Sequence, residues 1–94
     1  MNGYAVEYGP RANENLHSLS ADFAVRVAKK ILELGTDPHP RGDTIKRIHG
    51  RARTYRLRIG DYRAVFELDE DAHRVSILRI VHRSQLERHL KELL

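Results

Sequence analysis

The chain contains no cysteine, so neither a disulfide framework nor the usual thiolate-bound structural zinc can hold it together. No apolar run approaches the ~18 residues that a membrane-spanning helix needs. The opening Met1-Asn2-Gly3-Tyr4 lacks the charged and apolar regions of a signal peptide. A cytoplasmic protein with no membrane contact is therefore expected. Also missing are a Gly-rich phosphate loop, a nucleophile elbow, a paired-carboxylate motif and any His pair at metal-ligand spacing. Those absences close the common templates for catalysis, and no metal and no cofactor is expected. There are no internal repeats and no low-complexity tracts. What is present is 94 residues, 40% apolar and 32% charged, which make a single globular domain spanning 1–94. A domain this small buries only ~60–70% of its unfolded surface, so its stability is modest or borrowed from a partner.

Positive charge is concentrated rather than spread. The net charge is +4, yet the segment from Arg41 to Arg63 holds eight basic residues against two acids, leaving the remainder at −2. A basic block on a near-neutral body points to a polyanionic partner, either nucleic acid or an acidic protein. Thirteen Arg against four Lys favour forked contacts to phosphate.

The chain divides into recognisable elements. Tyr4-Ala5-Val6-Glu7-Tyr8 alternates as a short strand, and Gly9-Pro10 opens a helix with one apolar edge of Ala12, Leu16 and Leu19. Ser20 suits an N-cap for a second helix, whose stripe is Phe23, Val27, Ile31 and Leu34, with Gly35 placed to cap its end. Thr36 to Asp43 is a loop by its prolines, and Thr44 to Arg53 is ambiguous, with Ile45 and Ile48 as its only apolar anchors. Two alternating runs follow, Tyr55–Ile59 and Tyr62–Asp69, joined by Gly60-Asp61 as a two-residue hairpin turn. Val75 to Val81 is apolar on both faces, as in a central strand. Ser84-Gln85-Leu86-Glu87 is a capping-box pattern for a last helix with Leu86, Leu90, Leu93 and Leu94 on its apolar side. The predicted order is β-α-α-β-β-β-α, an α+β fold with a mostly antiparallel four-stranded sheet, an N-terminal helical hairpin and a C-terminal helix.

The hairpin turn fixes a register with a chemical consequence. Ile59 falls opposite Tyr62, Arg58 opposite Arg63, Leu57 opposite Ala64 and Arg56 opposite Val65. Opposed residues share a face. One face thus gathers Tyr55, Leu57, Ile59, Tyr62, Ala64, Phe66 and Leu68, while the other gathers Arg56, Arg58 and Arg63. Like charges directly opposite destabilise a sheet. Such a cluster persists when something anionic offsets it: a phosphate, a carboxylate-rich partner, or an internal acid such as Glu67. Among the histidines, His17, His39 and His73 sit in polar or loop surroundings, and His49 lies inside the basic block. Histidine alone has an unperturbed pKa near neutrality here, but His89 by itself reads as an ordinary helix residue.

The run Tyr55-Arg56-Leu57-Arg58-Ile59-Gly60-Asp61-Tyr62-Arg63-Ala64-Val65-Phe66-Glu67 resembles the signature of the RelE/ParE superfamily of type II toxin–antitoxin toxins. The early strand, the helical hairpin, Ile48-His49-Gly50 and Val81-His82-Arg83 extend the resemblance along the whole chain. It implies a single RelE-like toxin domain that cuts mRNA in the decoding site of the ribosome. A ribose 2′-OH would attack the adjacent phosphate, leaving a 2′,3′-cyclic phosphate and a 5′-OH. It also implies a small cognate antitoxin as partner. Carried over by position, the catalytic residues are Arg56, Arg58, Arg63, Arg83 and His89. Arginine stands at strand positions where the family often has lysine, and His89 stands where it often has tyrosine. Guanidinium does not readily lose its proton, so the arginines would clamp the phosphate and His89 would carry the proton. Lys46, Arg47, Arg51 and Arg53 would bind ribosomal RNA backbone. Two alternatives follow from the same scaffold. One is a ParE-like inhibitor of DNA gyrase that performs no chemistry, and the other a degenerate toxin that only binds its antitoxin.

Overall fold

The computed structural model describes residues 3–92. Its elements are β1 (Ala5–Tyr8), α1 (Pro10–His17), α2 (Ala21–Leu32), β2 (Ile45–Arg47), β3 (Thr54–Ile59), β4 (Tyr62–Asp69), β5 (Arg74–His82) and α3 (Leu86–Glu92). The strands form one five-stranded sheet in the order β1-β5-β4-β3-β2. All neighbours are antiparallel except β1 and β5, which run parallel.

The α+β class agrees with the sequence pattern; the four-stranded sheet does not. The fifth strand is β2, inside the ambiguous stretch from Thr44 to Arg53, pairing Ile45 with Leu57 and Lys46 with Arg56. Only Ile45 of its three residues is buried. A strand that short shows no period of two, and its charged, exposed remainder is typical of a protected sheet edge.

The helical hairpin covers one face of the sheet. Pro10 occupies the first turn of α1, and Ser20 Oγ accepts the Phe23 N–H at 3.4 Å to cap α2. Lys29 and Lys30 in the last turn complement the dipole of α2. Gly35 does not act as a left-handed cap. The chain instead tightens into a 3-10 turn over Glu33–Gly35, and the Gly35 carbonyl accepts the Tyr4 N–H at 2.8 Å. A Cβ there would sit 3.2 Å from the Tyr4 carbonyl oxygen, so glycine serves this close approach to β1. β1 stops opposite Ile77, and beyond it the Asn15 side chain of α1 accepts the bare Ile80 N–H at 2.9 Å. Val27, Ile31 and Leu34 thus bury against Leu57, Ala64, Phe66 and Ile77, forming the main core.

A smaller apolar cluster lies on the opposite face. Val65, Val81 and Leu86 are buried there, with Leu78 and Leu90 packed against them. A bulge in β5 builds it: Val65 pairs with Arg79 and Phe66 with Ile77, so Leu78 is the extra residue. Leu78 therefore turns outward beside Arg79 and helps seat α3. That helix does not start from the Ser84 capping box. His82 caps a 3-10 turn over Arg83–Gln85, accepting the Ser84 N–H on Nδ1 at 3.2 Å. The expected apolar positions Leu93 and Leu94 lie outside the described residues.

Candidate anion-binding site

The β3–β4 register is the one the turn implied, with Ile59, Arg58, Leu57 and Arg56 opposite Tyr62, Arg63, Ala64 and Val65. Gly60 takes φ of 59° while Asp61 stays at negative φ, the pattern of a type II′ turn. Tyr55 stacks on Phe66 at 5.6 Å and Tyr62 meets Phe23 at 5.0 Å, so both tyrosines belong to the core side. On the other face Arg58 lies directly opposite Arg63, and Arg56 is flanked by Val65 and Lys46.

Arg83 joins this group from the end of β5. Its N–H donates to the Asp61 carbonyl at 2.8 Å, and its guanidinium Nε lies 3.7 Å from the Asp61 carboxylate. The tight turn thus tethers Arg83 at the end of the hairpin, within electrostatic reach of Arg63. Arg63 is half-buried, and its Nη1 donates to the Gly60 and Tyr62 carbonyls, at 2.9 Å each. Burial lowers the Arg63 pKa from its ordinary value, and the positive fields of Arg58, Arg56 and Arg83 lower it further. Four guanidinium groups therefore share one electrostatic site.

The internal counterions were not legible in the sequence. Glu67, the expected offsetting acid, pairs in register with Thr54 and Ser76, further along the sheet. Asp43 takes that role from the loop before β2. Lys46 Nζ bonds its carboxylate at 2.8 Å, and the fields of Lys46, Arg58 and Arg56 help hold its pKa below the usual carboxylate range. The i,i+3 spacing of Asp43 and Lys46 was the available signal. Arg56, Arg58, Arg63, Arg83 and Lys46 thus outnumber the nearby acids among the described residues, Asp43 and Asp61 at the periphery and Glu87 beside Arg56. Such a surplus of fixed positive charge favours an anion over a cation or a neutral group.

Beside the cluster a cleft of about 610 Å³ opens between α3 and the β2–β3 loop. Ile48, Leu86 and Leu90 line it together with Arg47, Arg51 and Arg56. Lys46, Arg47 and Arg51 are therefore contiguous with the arginine face. Arg53 is exposed at the approach to β3, its carbonyl accepting the Leu68 N–H at 2.9 Å, and it does not line the cleft.

His89 is placed elsewhere. It lines a second, smaller hollow with Tyr62, His82 and Asn15, and its Nδ1 lies 3.8 Å from Glu92. With Leu86 and Leu90 seated on the sheet, the helical period sends Glu87 and Lys91 toward Arg56 and His89 to the opposite flank. The structure brings the four arginines together, while His89 lines the second hollow and not the cleft beside Arg56.

A polar network at the far end of the sheet is also absent from the sequence pattern, in which His39 and His73 sit in polar or loop surroundings. His39 bridges two carboxylates, Asp37 through Nδ1 and Glu70 through Nε2, at 2.8 Å each. Tyr4 donates to Glu70 at 2.6 Å and stacks on His73. Bonds to Asp37, then to Glu70, raise the His39 pKa. Among the described residues no group of three or more His, Cys, Asp or Glu side chains is placed to hold a metal ion, and no helix is long and apolar enough to cross a membrane.

Comparison with known proteins places this geometry. No curated protein matches the chain. Among solved structures it is similar to the toxin–antitoxin complex RelBE2 from Mycobacterium tuberculosis, with 28% identity and a TM-score of 0.75 over 86% of this chain and 99% of that one. The archaeal RelE–RelB complex from Pyrococcus horikoshii gives 24% identity and a TM-score of 0.75 over 88% and 98%. A mutant of Escherichia coli toxin RelE in the free state shares the fold at 18% identity, with a TM-score of 0.78 over 98% and 99%. The family model for the ParE toxin of the type II toxin–antitoxin system parDE matches residues 6–87. The chain belongs to that family, and with it to the RelE/ParE superfamily of type II toxin–antitoxin toxins.

Proposed function

We propose that this toxin is a ribosome-dependent mRNA endonuclease whose arginine cluster clamps the scissile phosphate. The observation that carries this reading is the convergence of Arg56, Arg58, Arg63 and Arg83, close enough that the other three add to burial in depressing the pKa of Arg63. In the reaction the ribose 2′-oxygen bonds to phosphorus and the bond from phosphorus to the 5′-oxygen breaks. The 2′-OH proton passes to water, and the departing 5′-oxygen takes a proton back. Negative charge builds on the phosphoryl oxygens in between. Fixed guanidinium groups aimed at those oxygens stabilise the charge as it develops, and removing one such donor from a preorganised site costs ~10²–10³ in rate. Lys46, Arg47, Arg51 and Arg53 would hold RNA backbone around the site.

The partner that silences such a site is a small antitoxin. Several of the similar structures are toxin–antitoxin complexes. A segment rich in carboxylates would cover the arginine face with complementary charge and order on binding.

Primer extension on mRNA from a translation extract, beside an Arg83→Ala control, tests the reading. Cuts within translated codons that vanish without ribosomes, and fall ~10²-fold in Arg83→Ala, are the expected result. The family match favours a second reading, inhibition of DNA gyrase through protein contact. Intact mRNA with gyrase-dependent DNA breaks would establish that reading instead, and intact mRNA with no toxicity would leave antitoxin binding as the remaining role.

A further inference from the structure

The cleft beside the arginine cluster is not needed to grip a phosphate, and its lining has a chemistry of its own. Its floor is aliphatic, from Ile48, Leu86 and Leu90, and its rim carries Arg47, Arg51 and Lys91. Arg56 belongs to both the cleft and the cluster. Whatever enters is therefore attached to, or continuous with, the anion held by the arginines. The occupant must combine negative charge with a flat or apolar body.

One residue narrows the choice. Among the described residues Glu87 is the only acid lining a cleft otherwise walled by apolar and basic groups. The side chains of an acidic peptide carry no donor for its carboxylate, and the peptide could offer it only scattered backbone N–H groups. A nucleobase presents N–H donors along its edge, and a carboxylate accepting from an exocyclic amine is a standard mode of base reading. Aliphatic side chains and guanidinium planes supply surfaces on which an unstacked base can lie. His49, exposed at the mouth, adds a ring that can do the same.

Resting on the endonuclease reading, we propose that this cleft receives the base of the nucleotide adjoining the scissile phosphate, with Glu87 as the residue that selects it. Adenine, cytosine and guanine carry an exocyclic amine that Glu87 accepts; uracil carries none. The cleft thus sets which sites are cut, while the arginine cluster sets that they are cut.

Cut sites on a reporter mRNA are mapped for the wild type, Glu87→Ala and Glu87→Gln. Glu87 is exposed, so these variants fold. The readout is the ratio of cuts beside amine-bearing bases to cuts beside uracil, which a general loss of activity does not move. The wild type shows a ratio of about tenfold, Glu87→Ala falls below about threefold, and Glu87→Gln, which keeps an acceptor oxygen, lies between. Equal ratios in all three proteins overturn the proposal.

A second measurement separates its fate from that of the endonuclease reading. Amide resonances of the free protein are followed during titration with the ribotrinucleotides ApApA and UpUpU. The adenine trimer shifts Ile48, His49, Gly50 and Leu90 more than the uracil trimer does, and Glu87→Ala abolishes the difference. This result upholds the cleft even if the wild type leaves mRNA intact. Shifts confined to Arg58, Arg63 and Arg83 overturn it. So does an Asp/Glu-rich peptide that moves the cleft resonances when neither trimer does, which would assign the cleft to a protein partner.

Discussion

The arginine cluster makes the folded chain repel itself, and relieving that repulsion should raise stability while weakening anion binding. Arg58 is the residue to change: it is exposed, faces Arg63 directly across the ladder, and lies two residues from Arg56 on the same strand. Its backbone N–H bond to the Thr44 carbonyl survives any substitution that keeps the N–H. Guanidinium charges ~7 Å apart, a separation that cross-strand neighbours allow, repel by ~0.6 kcal/mol in water. Two such pairs give ~1.2 kcal/mol at low ionic strength, of which Asp43 offsets a part. Arg58→Gln is therefore expected to gain ~0.7 kcal/mol in dilute buffer, or ~3–5 °C in Tm for a domain this size. At physiological ionic strength the Debye length of ~8 Å cuts the gain by more than half.

Phosphate should reverse the order. A ligand that binds only the folded state stabilises it by RT ln(1 + [L]/Kd), or ~1.4 kcal/mol at ten times Kd. The wild type gains that and Arg58→Gln gains less, so above a few times Kd the wild type melts higher. Thermal melts in sodium phosphate and in sodium chloride at matched ionic strength separate binding from screening. Arg11→Gln, the same charge change on α1, controls for net charge alone and should shift neither curve by more than ~0.5 kcal/mol. The reasoning is falsified if Arg58→Gln melts no higher than the wild type in dilute buffer. It fails equally if phosphate stabilises the wild type no more than chloride does.

The raised His39 pKa means its bridge to Asp37 and Glu70 contributes fully below the ordinary histidine value of 6.5 and is lost as pH rises through the higher folded value; urea unfolding at pH ~6 and ~8 should show wild-type stability falling and His39→Gln flat. The lowered pKa values of Asp37 and Glu70 act with the opposite sign, their contribution being lost as pH falls through the folded values, below the ordinary 3.8 and 4.5. Phe66, wholly buried in the main core, should cost ~3–5 kcal/mol in urea unfolding as Phe66→Ala, whereas exposed Leu32→Ala should stay within ~0.5 kcal/mol. On the endonuclease reading, His89→Ala should keep single-turnover cleavage within about tenfold of wild type; a ~10²-fold loss at unchanged ribosome affinity would return proton transfer to His89. Finally, if Lys46, Arg47, Arg51 and Arg53 contact RNA backbone, changing two of them to Gln should flatten the slope of log affinity against log salt by ~1.4; an unchanged slope would remove them from the interface.

What is legible in the sequence depends on how local the cause is. The β3–β4 hairpin is readable to the residue because Gly60-Asp61 leaves one turn length and the strict alternation on either side leaves one register. The same alternation is enough to put Arg56, Arg58 and Arg63 on one face. The β2 strand is not readable, since three residues with one apolar anchor carry no period, and only pairing with Leu57 makes Ile45 a strand residue. The bulge at Leu78 is hidden for a different reason: a strand apolar on both faces keeps its hydrophobic pattern when one residue is inserted. The cap of the last helix goes to His82 rather than Ser84 because the strand's own end supplies a nitrogen acceptor two residues earlier. The Tyr4–His39–Glu70 network joins residues 31 and 66 positions apart, so no window along the chain contains it.

The position of α3 shows how apolar packing decides which polar residues meet. The helix has seven described residues, a length marginal in isolation, so its orientation comes from docking. Leu86 and Leu90 seat it on Val65, Val81 and Leu78, and Leu78 faces that way only because the bulge turns it outward. Once those leucines are fixed, a period of 3.6 leaves no freedom for the flanks. Glu87 and Lys91 must line the cleft beside Arg56, and His89 must face Tyr62 and His82 instead. The family resemblance, carried over by position, puts His89 on the last helix but carries no information about the flank it occupies. The four arginines are groups that keep their protons, so what they would bring to a reaction is the placement of fixed charge.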